Sequence, residues 1–329
     1  MEKRHLGKTS LEVSPLVLGG NVFGWTADEK ASFAVLDAFV DADFNFVDTA
    51  DIYSHWAPGH TGGESETVIG KWLKQSGKRN RVVLATKVGG QMGQDTTKKG
   101  LKKDYILREV EDSLRRLQTD HIDLYQTHFD DLTLPVEEPL EAYDALIKAG
   151  KIRYTGASNF TPGRLQAALR AQHLPHYVSL QPLYNLMERE GFEKELGPLC
   201  EREGLGVIPY FSLASGFLTG KYRSEADLAK SVRGQGVKKY LNPRGFAVLA
   251  ALDEVGARHH TDPASVALAW LLTRPAVTAP IASVTSPAQL PSLLKGVQLV
   301  LTPGDIALLD KASDWSLGEG QTDDRPGPR

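Results

Sequence analysis

Several features are scarce or missing in this 329-residue sequence. It contains a single cysteine, Cys200, so no disulfide can form within the chain, which is typical of proteins from a reducing compartment. It has no run of about 18 apolar residues, the length that a membrane-spanning helix requires. Its first residues, MEKRHLGKTS, lack the apolar segment of a secretory signal. We therefore expect a cytoplasmic protein.

Charge of one sign is not concentrated anywhere along the chain. The 38 basic and 41 acidic residues leave a net charge of −3, and Lys and Arg are scattered. A basic stripe would indicate nucleic acid binding, and a polybasic cluster would indicate a membrane surface. Since neither is found, we expect neither nucleic acid nor membrane as a partner. The hydrophobic content of 41% is sufficient for a sizeable core.

Short apolar runs alternate with amphipathic segments along most of the chain. The runs are apolar on both faces, as the strands of a buried parallel sheet are. The eight runs are Leu16–Gly19, Phe44–Val47, Val82–Ala85, Ile122–Gln126, Ile152–Gly156, Val178–Gln181, Gly206–Pro209 and Val277–Ile281. Helical segments such as residues 104–118 supply the crossovers that parallel strands need. Eight such units favour an α/β fold of the (β/α)8 TIM-barrel type over an open sheet.

Three segments fall outside this repeat. Residues 2–14 predict an N-terminal β-hairpin that precedes the barrel. Residues 211–244 form a long connection after the seventh strand, and loops of this length are usually functional lids or disordered. Residues 314–329 predict a mobile tail. Because no linker or internal repeat divides the chain, we predict a single domain over residues 1–329.

Polar residues follow three consecutive predicted strands. Asp48 and Tyr53 come after the second strand of the chain, Lys87 after the third and His128 after the fourth. In a TIM barrel, reactive side chains project from the C-terminal ends of the strands. The sequence therefore predicts that these four side chains meet at one mouth of the barrel.

Together with three further motifs, these residues resemble the aldo/keto reductase family. The motifs are Gly156-Ala157-Ser158-Asn159, Gln181-Pro182-Leu183-Tyr184-Asn185 and Gly216-Phe217-Leu218-Thr219-Gly220-Lys221. The resemblance runs from about residue 3 to about residue 313 and is closest to the branch of bacterial reductases and potassium-channel β subunits. It implies hydride transfer between a nicotinamide dinucleotide and the carbonyl group of a small aldehyde or ketone.

The resemblance gives each of the four residues a role. Tyr53 is the general acid, with a pKa lowered by the Lys87 ammonium, and Asp48 keeps Lys87 charged. Neutral His128 donates a hydrogen bond to the carbonyl oxygen. Two alternatives remain open. One is a Schiff-base aldolase that uses Lys87 as its nucleophile, which requires a neutral amine. The other is a cofactor-binding regulatory module with little turnover.

The resemblance also implies a nicotinamide dinucleotide held by the barrel loops. The fingerprint Gly-x-Gly-x-x-Gly of a Rossmann fold follows no predicted strand. NADPH is the expected cofactor, with NADH as the alternative, because Thr285 stands where many members carry a cation for the 2′-phosphate. The implied cofactor contacts are Ser158, Asn159, Gln181, Tyr210, Phe211, Ser212, Leu213, Ser215, Lys221, Arg233, Ser283, Thr285 and Gln289.

Aromatic residues just beyond the strand ends are candidates for a substrate pocket. Trp25, Trp56 and Phe129 occupy such positions, although ordinary packing would account for them equally well. His55 and His60 lie close together in sequence but lack the further ligands of a zinc site, so no metal is predicted. The expected partner is a small carbonyl compound.

Overall fold

The computed structural model describes residues 2–316, which contain a hairpin and an eight-stranded parallel barrel. The hairpin strands β1 (Arg4–His5) and β2 (Glu12–Val13) are antiparallel. The barrel strands are β3 (Val17–Gly19), β4 (Phe46–Asp48), β5 (Val83–Val88), β6 (Ile122–Thr127), β7 (Ile152–Ser158), β8 (Ser179–Gln181), β9 (Gly206–Val207) and β10 (Ile281–Ala282). Their order follows the chain, and β10 pairs with β3. The predicted (β/α)8 fold and its N-terminal hairpin are confirmed.

Four backbone hydrogen bonds close the barrel between the chain at β9 and the chain at β10. The N–H of Thr278 donates to the carbonyl of Val207 over 2.8 Å, and the N–H of Ile281 donates to the carbonyl of Pro209 over 2.9 Å. In the opposite direction, the N–H of Val207 donates to the carbonyl of Ala276 over 3.1 Å. The sheet is therefore continuous around its circumference, although this junction is its shortest pairing.

The last strand begins later than the sequence predicts. The predicted run was Val277–Ile281, whereas β10 starts at Ile281, and Val277 forms only an isolated bridge. Pro280 has no N–H to donate and interrupts a regular ladder at the preceding position. The apolar run is buried as expected, but a proline inside it decides where strand pairing starts.

Helices cover the outside of the barrel. They are α1 (Glu29–Asp41), α2 (Glu64–Ser76), α3 (Lys103–Leu117), α4 (Glu137–Lys148), α5 (Pro162–Leu169), α6 (Glu190–Glu193), α7 (Leu196–Glu203), α8 (Gly234–Val237), α9 (Pro243–Arg258), α10 (Pro263–Leu272), α11 (Leu290–Gly296) and α12 (Pro303–Ala312). The predicted helix 104–118 corresponds to α3. Among the helices of residues 2–316, none has the length and apolar character needed to cross a lipid bilayer.

The N-terminal hairpin plugs the bottom of the barrel. Leu6 and Leu11 pack in one buried cluster with the inward-facing residues Val17, Phe46 and Leu124. A larger cluster fills the space between the outer faces of the strands and the helices. The hairpin therefore seals the end of the barrel that lies opposite the C-terminal ends of the strands.

The long connection 211–244 is ordered rather than a plain loop. It contains 3-10 turns at Ala214–Thr219, Glu225–Lys230 and Lys238–Tyr240, in addition to α8. Of the predicted tail 314–329, Trp315 contacts the barrel through an indole hydrogen bond of 3.4 Å to Glu193. Residues 317–329 lie outside the described residues.

Candidate active site

Three polar side chains form one layer inside the barrel. Residues two apart on a strand face the same side. Phe46, Ala85 and Leu124 face the bottom of the interior, so Asp48, Lys87 and Gln126 form the next layer toward the C-terminal mouth. This placement follows from strand geometry alone. It brings a carboxyl group, an amine and an amide together inside the barrel, just below its C-terminal opening.

Lys87 is the centre of this layer. Its Nζ donates to Oδ2 of Asp48 and to the hydroxyl oxygen of Tyr53, each over 2.7 Å, and to the carbonyl of Thr49 over 2.9 Å. The Lys87 side chain is 0% exposed. All three donors of the ammonium are therefore used, and one of them reaches the phenol.

The ammonium form of Lys87 is stabilised by its neighbours. Burial would lower its pKa, but Asp48 and Tyr53 outweigh this effect and place the pKa above its ordinary value. A Schiff base requires the neutral amine. The ion pair with Asp48 therefore disfavours the aldolase alternative.

The phenol of Tyr53 does not have the lowered pKa that the sequence suggests. Burial raises the pKa of Tyr53 and Lys87 lowers it, and the net result lies above the ordinary value. A buried phenolate loses its hydration, and in the protein alone this loss exceeds the attraction of the ammonium. Tyr53 is therefore protonated at neutral pH, which is the form that a proton donor needs.

His128 lies beside Tyr53 at the rim of the same layer. The two ring centroids are 5.8 Å apart, and Phe129 stacks on the imidazole at 4.4 Å. Burial, and then the charge of Lys87, hold the pKa of His128 well below its ordinary value. Its Nδ1 is buried without a hydrogen-bond partner among residues 2–316. The imidazole is therefore neutral at pH 7.

Gln126 was missed at the level of sequence. Its Nε2 donates to Oδ1 of Asp48 over 3.0 Å, and Gln181 donates to the same oxygen over 3.0 Å. The two amides thus occupy the oxygen of Asp48 that Lys87 does not use. The signal was available, since Gln126 lies on β6 two residues before His128, which directly follows that strand.

A cavity of about 950 Å³ opens above this layer. Its lining includes Asp48, Tyr53, His128, Trp56 and Phe129, together with all thirteen residues predicted to contact a cofactor. Lys87 lies beneath the floor rather than in the wall. Trp25 is also outside the lining and packs edge-on against Trp56, with their ring centroids 5.6 Å apart.

The amide side chains on one side of the cavity already form hydrogen bonds within the protein. The Nδ2 of Asn159 donates to the carbonyl of His128 over 2.9 Å and to Oγ of Ser158 over 3.1 Å. Its Oδ1 accepts from the hydroxyl of Tyr210 over 2.8 Å. The amide hydrogens of Gln181 are likewise used within the barrel. This cluster therefore offers a ligand mainly acceptor oxygens.

Left-handed backbone shapes the opposite wall. Phe211, Ala214, Ser215 and Gly216 all have positive φ, with 95° at Gly216. A Cβ added at Gly216 would lie 3.2 Å from Cε of Lys221, so glycine leaves the space that the lysine occupies. The Lys221 ammonium thereby comes close to the backbone that lines the cavity.

Arg233 covers the mouth without an acidic partner. Its guanidinium lies over the ring of Trp25, 5.4 Å from the ring centroid, and burial lowers its pKa. Among residues 2–316, the groups that act on its charge are Tyr222 and Tyr53, and no carboxylate contributes. A partly buried cation without a carboxylate partner favours the binding of an anionic ligand group.

The far end of the cavity has no cation on the last strand. The N–H of Thr285 donates to Oε1 of Gln289 over 2.8 Å, and Oγ of Ser283 donates to Oδ1 of Asn21 over 2.6 Å. Asp262 also lines this region. The polar groups here are neutral or acidic.

Comparison with known proteins assigns the chain to a family. The model of the aldo/keto reductase family matches residues 15–314, and the chain belongs to that family. It is 38% identical to the uncharacterized oxidoreductase YrpG of Bacillus subtilis (strain 168), over 97% of each chain. It is 32% identical to the protein Tas of Escherichia coli (strain K12), over 94% of this chain and 97% of Tas. The norsolorinic acid reductase of Aspergillus flavus is 30% identical, over 94% of this chain and 80% of that protein.

Proposed function

We propose that this protein reduces aldehydes or ketones to alcohols with NAD(P)H, and that Tyr53 is the general acid. The observation that supports this most directly is the contact of 2.7 Å between Nζ of Lys87 and the Tyr53 hydroxyl. This contact lies at the floor of a cavity that is large enough for a cofactor and a small substrate. Family membership supports an oxidoreductase and leaves the substrate to be proposed.

The residues around the cavity suit a nicotinamide dinucleotide. Tyr210 offers an aromatic face beside the acceptor oxygens of Asn159 and Gln181, which suit the amino group of a carboxamide. Lys221 and Arg233 supply cations for the diphosphate. The remaining proposed contacts are Ser158, Phe211, Ser212, Leu213, Ser215, Ser283, Thr285 and Gln289. When bound, the cofactor would supply the hydride.

The protein's own part in the reaction is to hold the carbonyl and to move one proton. The neutral imidazole of His128 donates a hydrogen bond to the carbonyl oxygen and orients it. As the oxygen gains negative charge, Tyr53 transfers its hydroxyl proton to it. The adjacent ammonium of Lys87, kept charged by Asp48, stabilises the phenolate that remains. In alcohol oxidation the same phenolate accepts the proton.

We propose NADPH as the cofactor because the resemblance to the family implies it, and we keep NADH as the alternative because this cavity, in the described part of the chain, lacks the usual cation at the 2′-phosphate position. The far end of the cavity presents Thr285 and Gln289 rather than a cation, and Asp262 adds negative charge there. The binding of a 2′-phosphate would therefore depend on Lys221 or on residues that move toward the phosphate when it binds. Trp56 and Phe129 favour a carbonyl compound with an apolar substituent, and Trp25 supports Trp56 from behind.

Titration and turnover test this proposal together. The protein is titrated with NADPH and NADH by fluorescence quenching, and a panel of aldehydes and ketones is followed at the absorbance of the reduced nicotinamide. We expect Tyr53→Phe to lose about 10²–10⁴-fold in turnover while it keeps its cofactor affinity. A near-wild-type rate in this variant would remove Tyr53 from its role. Tight cofactor binding without turnover of any carbonyl would indicate a regulatory module.

A further inference from the structure

Asp51 lies directly behind the proposed active site and has no part in the proposed reaction. Its N–H donates to the carbonyl of Lys87 over 3.2 Å, and its carbonyl accepts from the N–H of Gly63 over 2.5 Å. The residue is 0% exposed. Asp51 therefore connects the strand that carries Lys87 to the start of α2, through the loop that carries Tyr53.

The side chain of Asp51 faces an ion-pair network between α2 and α3. Arg116 on α3 donates through Nε to Oε2 of Glu66 over 2.6 Å and through Nη2 to Oε1 of Glu109 over 2.5 Å. Glu66 is 0% exposed and Glu109 is 3% exposed. The single guanidinium is thus shared by two carboxylates and makes no hydrogen bond to Asp51.

Within the described part of the chain, Asp51 has no cationic partner of its own. Its Oδ1 accepts from the N–H of Ile52 over 2.7 Å, whereas Oδ2 is buried without a partner within residues 2–316. The hydroxyls of Tyr105 on α3 and Tyr125 on β6 are also buried and unpaired there. The charged groups that act on the Asp51 carboxyl are Glu66, Glu109 and Arg116 of the network. The Asp51 charge in turn acts on the hydroxyls of Tyr53, Tyr105, Tyr125 and Tyr143.

The charges of this buried group do not balance if every carboxyl is ionised. Three carboxylates against one guanidinium would leave two uncompensated negative charges away from water. Uncompensated buried charge is costly, and the usual outcome is that a group keeps its proton. Burial, together with Glu109 and Glu66, raises the pKa of Asp51 well above its ordinary value.

We propose that Asp51 is a positioning residue that remains a neutral carboxylic acid at pH 7, holding the Tyr53 loop without adding negative charge behind the phenol. An ionised Asp51 would repel the Tyr53 phenolate, and its charge is one of the influences that raise the pKa of Tyr53. The neutral acid keeps the hydrogen bond to Ile52 and leaves Lys87 as the charge nearest the phenol. The consequence for turnover rests on the proposed function, but the protonation state does not.

Infrared spectroscopy tests the protonation state directly. We expect the wild-type protein at pH 7 to show the carbonyl band of a protonated carboxyl group, and Asp51→Asn to lack it. Asp123→Asn removes a buried carboxylate that is paired with Arg79 and Arg153, so it is the matched control and should retain the band. A wild-type spectrum without the band, or a band that persists in Asp51→Asn, would overturn the proposal whether or not the protein is a reductase.

The pH dependence of stability gives a second measurement. A carboxyl with a raised folded-state pKa favours folding below its unfolded pKa, and this stability is lost as pH rises through the folded pKa. The melting temperature of Asp51→Asn, measured relative to that of the wild type, should therefore increase as pH rises. Asp123→Asn is the control, because Asp123 is equally buried but pairs with Arg79 and Arg153, and it should melt below the wild type at pH 7.

Turnover separates a positioning role from a merely structural one. At pH 7 we expect kcat of Asp51→Asn to stay within about threefold of the wild type, because the amide keeps the shape and the neutrality of the acid. Asp51→Ala, which loses the hydrogen bond to Ile52, should lose more. A pH profile of Asp51→Asn shifted to lower pH throughout the neutral range would show that Asp51 is normally ionised and would contradict the proposal.

Discussion

A buried ammonium is costly, and Lys87 is tolerated because each of its hydrogens has an acceptor. One of these acceptors, Asp48, carries the compensating charge, and two amides hold the other oxygen of Asp48. Breaking a buried ion pair by removing one partner leaves the other charge unpaired. The effect of Lys87 on the chemistry of Tyr53 and its effect on stability therefore come from the same contacts.

Replacing Lys87 by Met should raise the pKa of Tyr53, because the nearby positive charge that stabilises the phenolate is lost. Alcohol oxidation needs the phenolate, so its rate rises with pH, and in Lys87→Met this rise should move to higher pH. An unchanged pH–rate profile would contradict electrostatic control. The variant should also lose about 3–5 kcal/mol of stability to the unpaired Asp48. Asp48→Asn combined with Lys87→Met should recover part of this loss.

The sequence predicts where the candidate residues lie, but it does not predict their pKa values. Asp48, Lys87 and His128 can be predicted because each follows an apolar strand, and parallel strands present their ends at one mouth. Gln126 could be found by counting alternate residues along its strand. The pKa of Tyr53 could not, because it depends on how far burial exceeds the attraction of Lys87, and burial is a property of the folded chain.

Among the structural elements, the left-handed segment after β9 lines the cavity with backbone. Gly216 has a φ of 95° and makes room for Lys221. We expect Gly216→Ala to cost about 1–2 kcal/mol of stability, because alanine disfavours this conformation. Cofactor affinity should fall roughly tenfold as Lys221 is displaced. Equilibrium unfolding and cofactor titration measure the two effects.

Gly163→Ala is the matched control for this substitution. Gly163 lies in α5, and a Cβ there meets no atom within 4 Å. Alanine in a helix should be neutral or stabilising by up to about 1 kcal/mol. If both variants bound the cofactor as tightly as the wild type, the proposed role of Lys221 would fail.

Element positions could be predicted more reliably than element ends. All eight barrel strands overlap the predicted apolar runs, since burial on both faces requires apolar residues. The ends depend on single backbone donors, as Pro280 shows. The connection 211–244 looks like a loop in sequence because its short helical turns carry little periodicity, yet Leu228, Val237 and Tyr240 bury it against the barrel.

For the molecule as a whole, the buried hairpin cluster and the candidate site lie at opposite ends of the barrel. Leu6 in the N-terminal hairpin is 0% exposed within the bottom cluster. Leu6→Ala should cost about 2–5 kcal/mol, because it leaves a cavity in that cluster. Cofactor affinity should not change. Chemical denaturation and cofactor titration check both parts.

Leu132→Ala provides the control for the same substitution at the surface. Leu132 is 74% exposed, so its truncation should change stability by less than about 0.5 kcal/mol. Equal losses in the two variants would show that the hairpin does not stabilise the barrel through this residue.

The closure between β9 and β10 has a mechanical consequence. Only a few hydrogen bonds join these two-residue strands, so this seam is where the cylinder should open first under strain. Tyr210 and Ser283 stand on its two sides and both face the cavity. A ligand that contacts both residues would therefore hold β9 and β10 together at the junction of the barrel that has the shortest strand pairing.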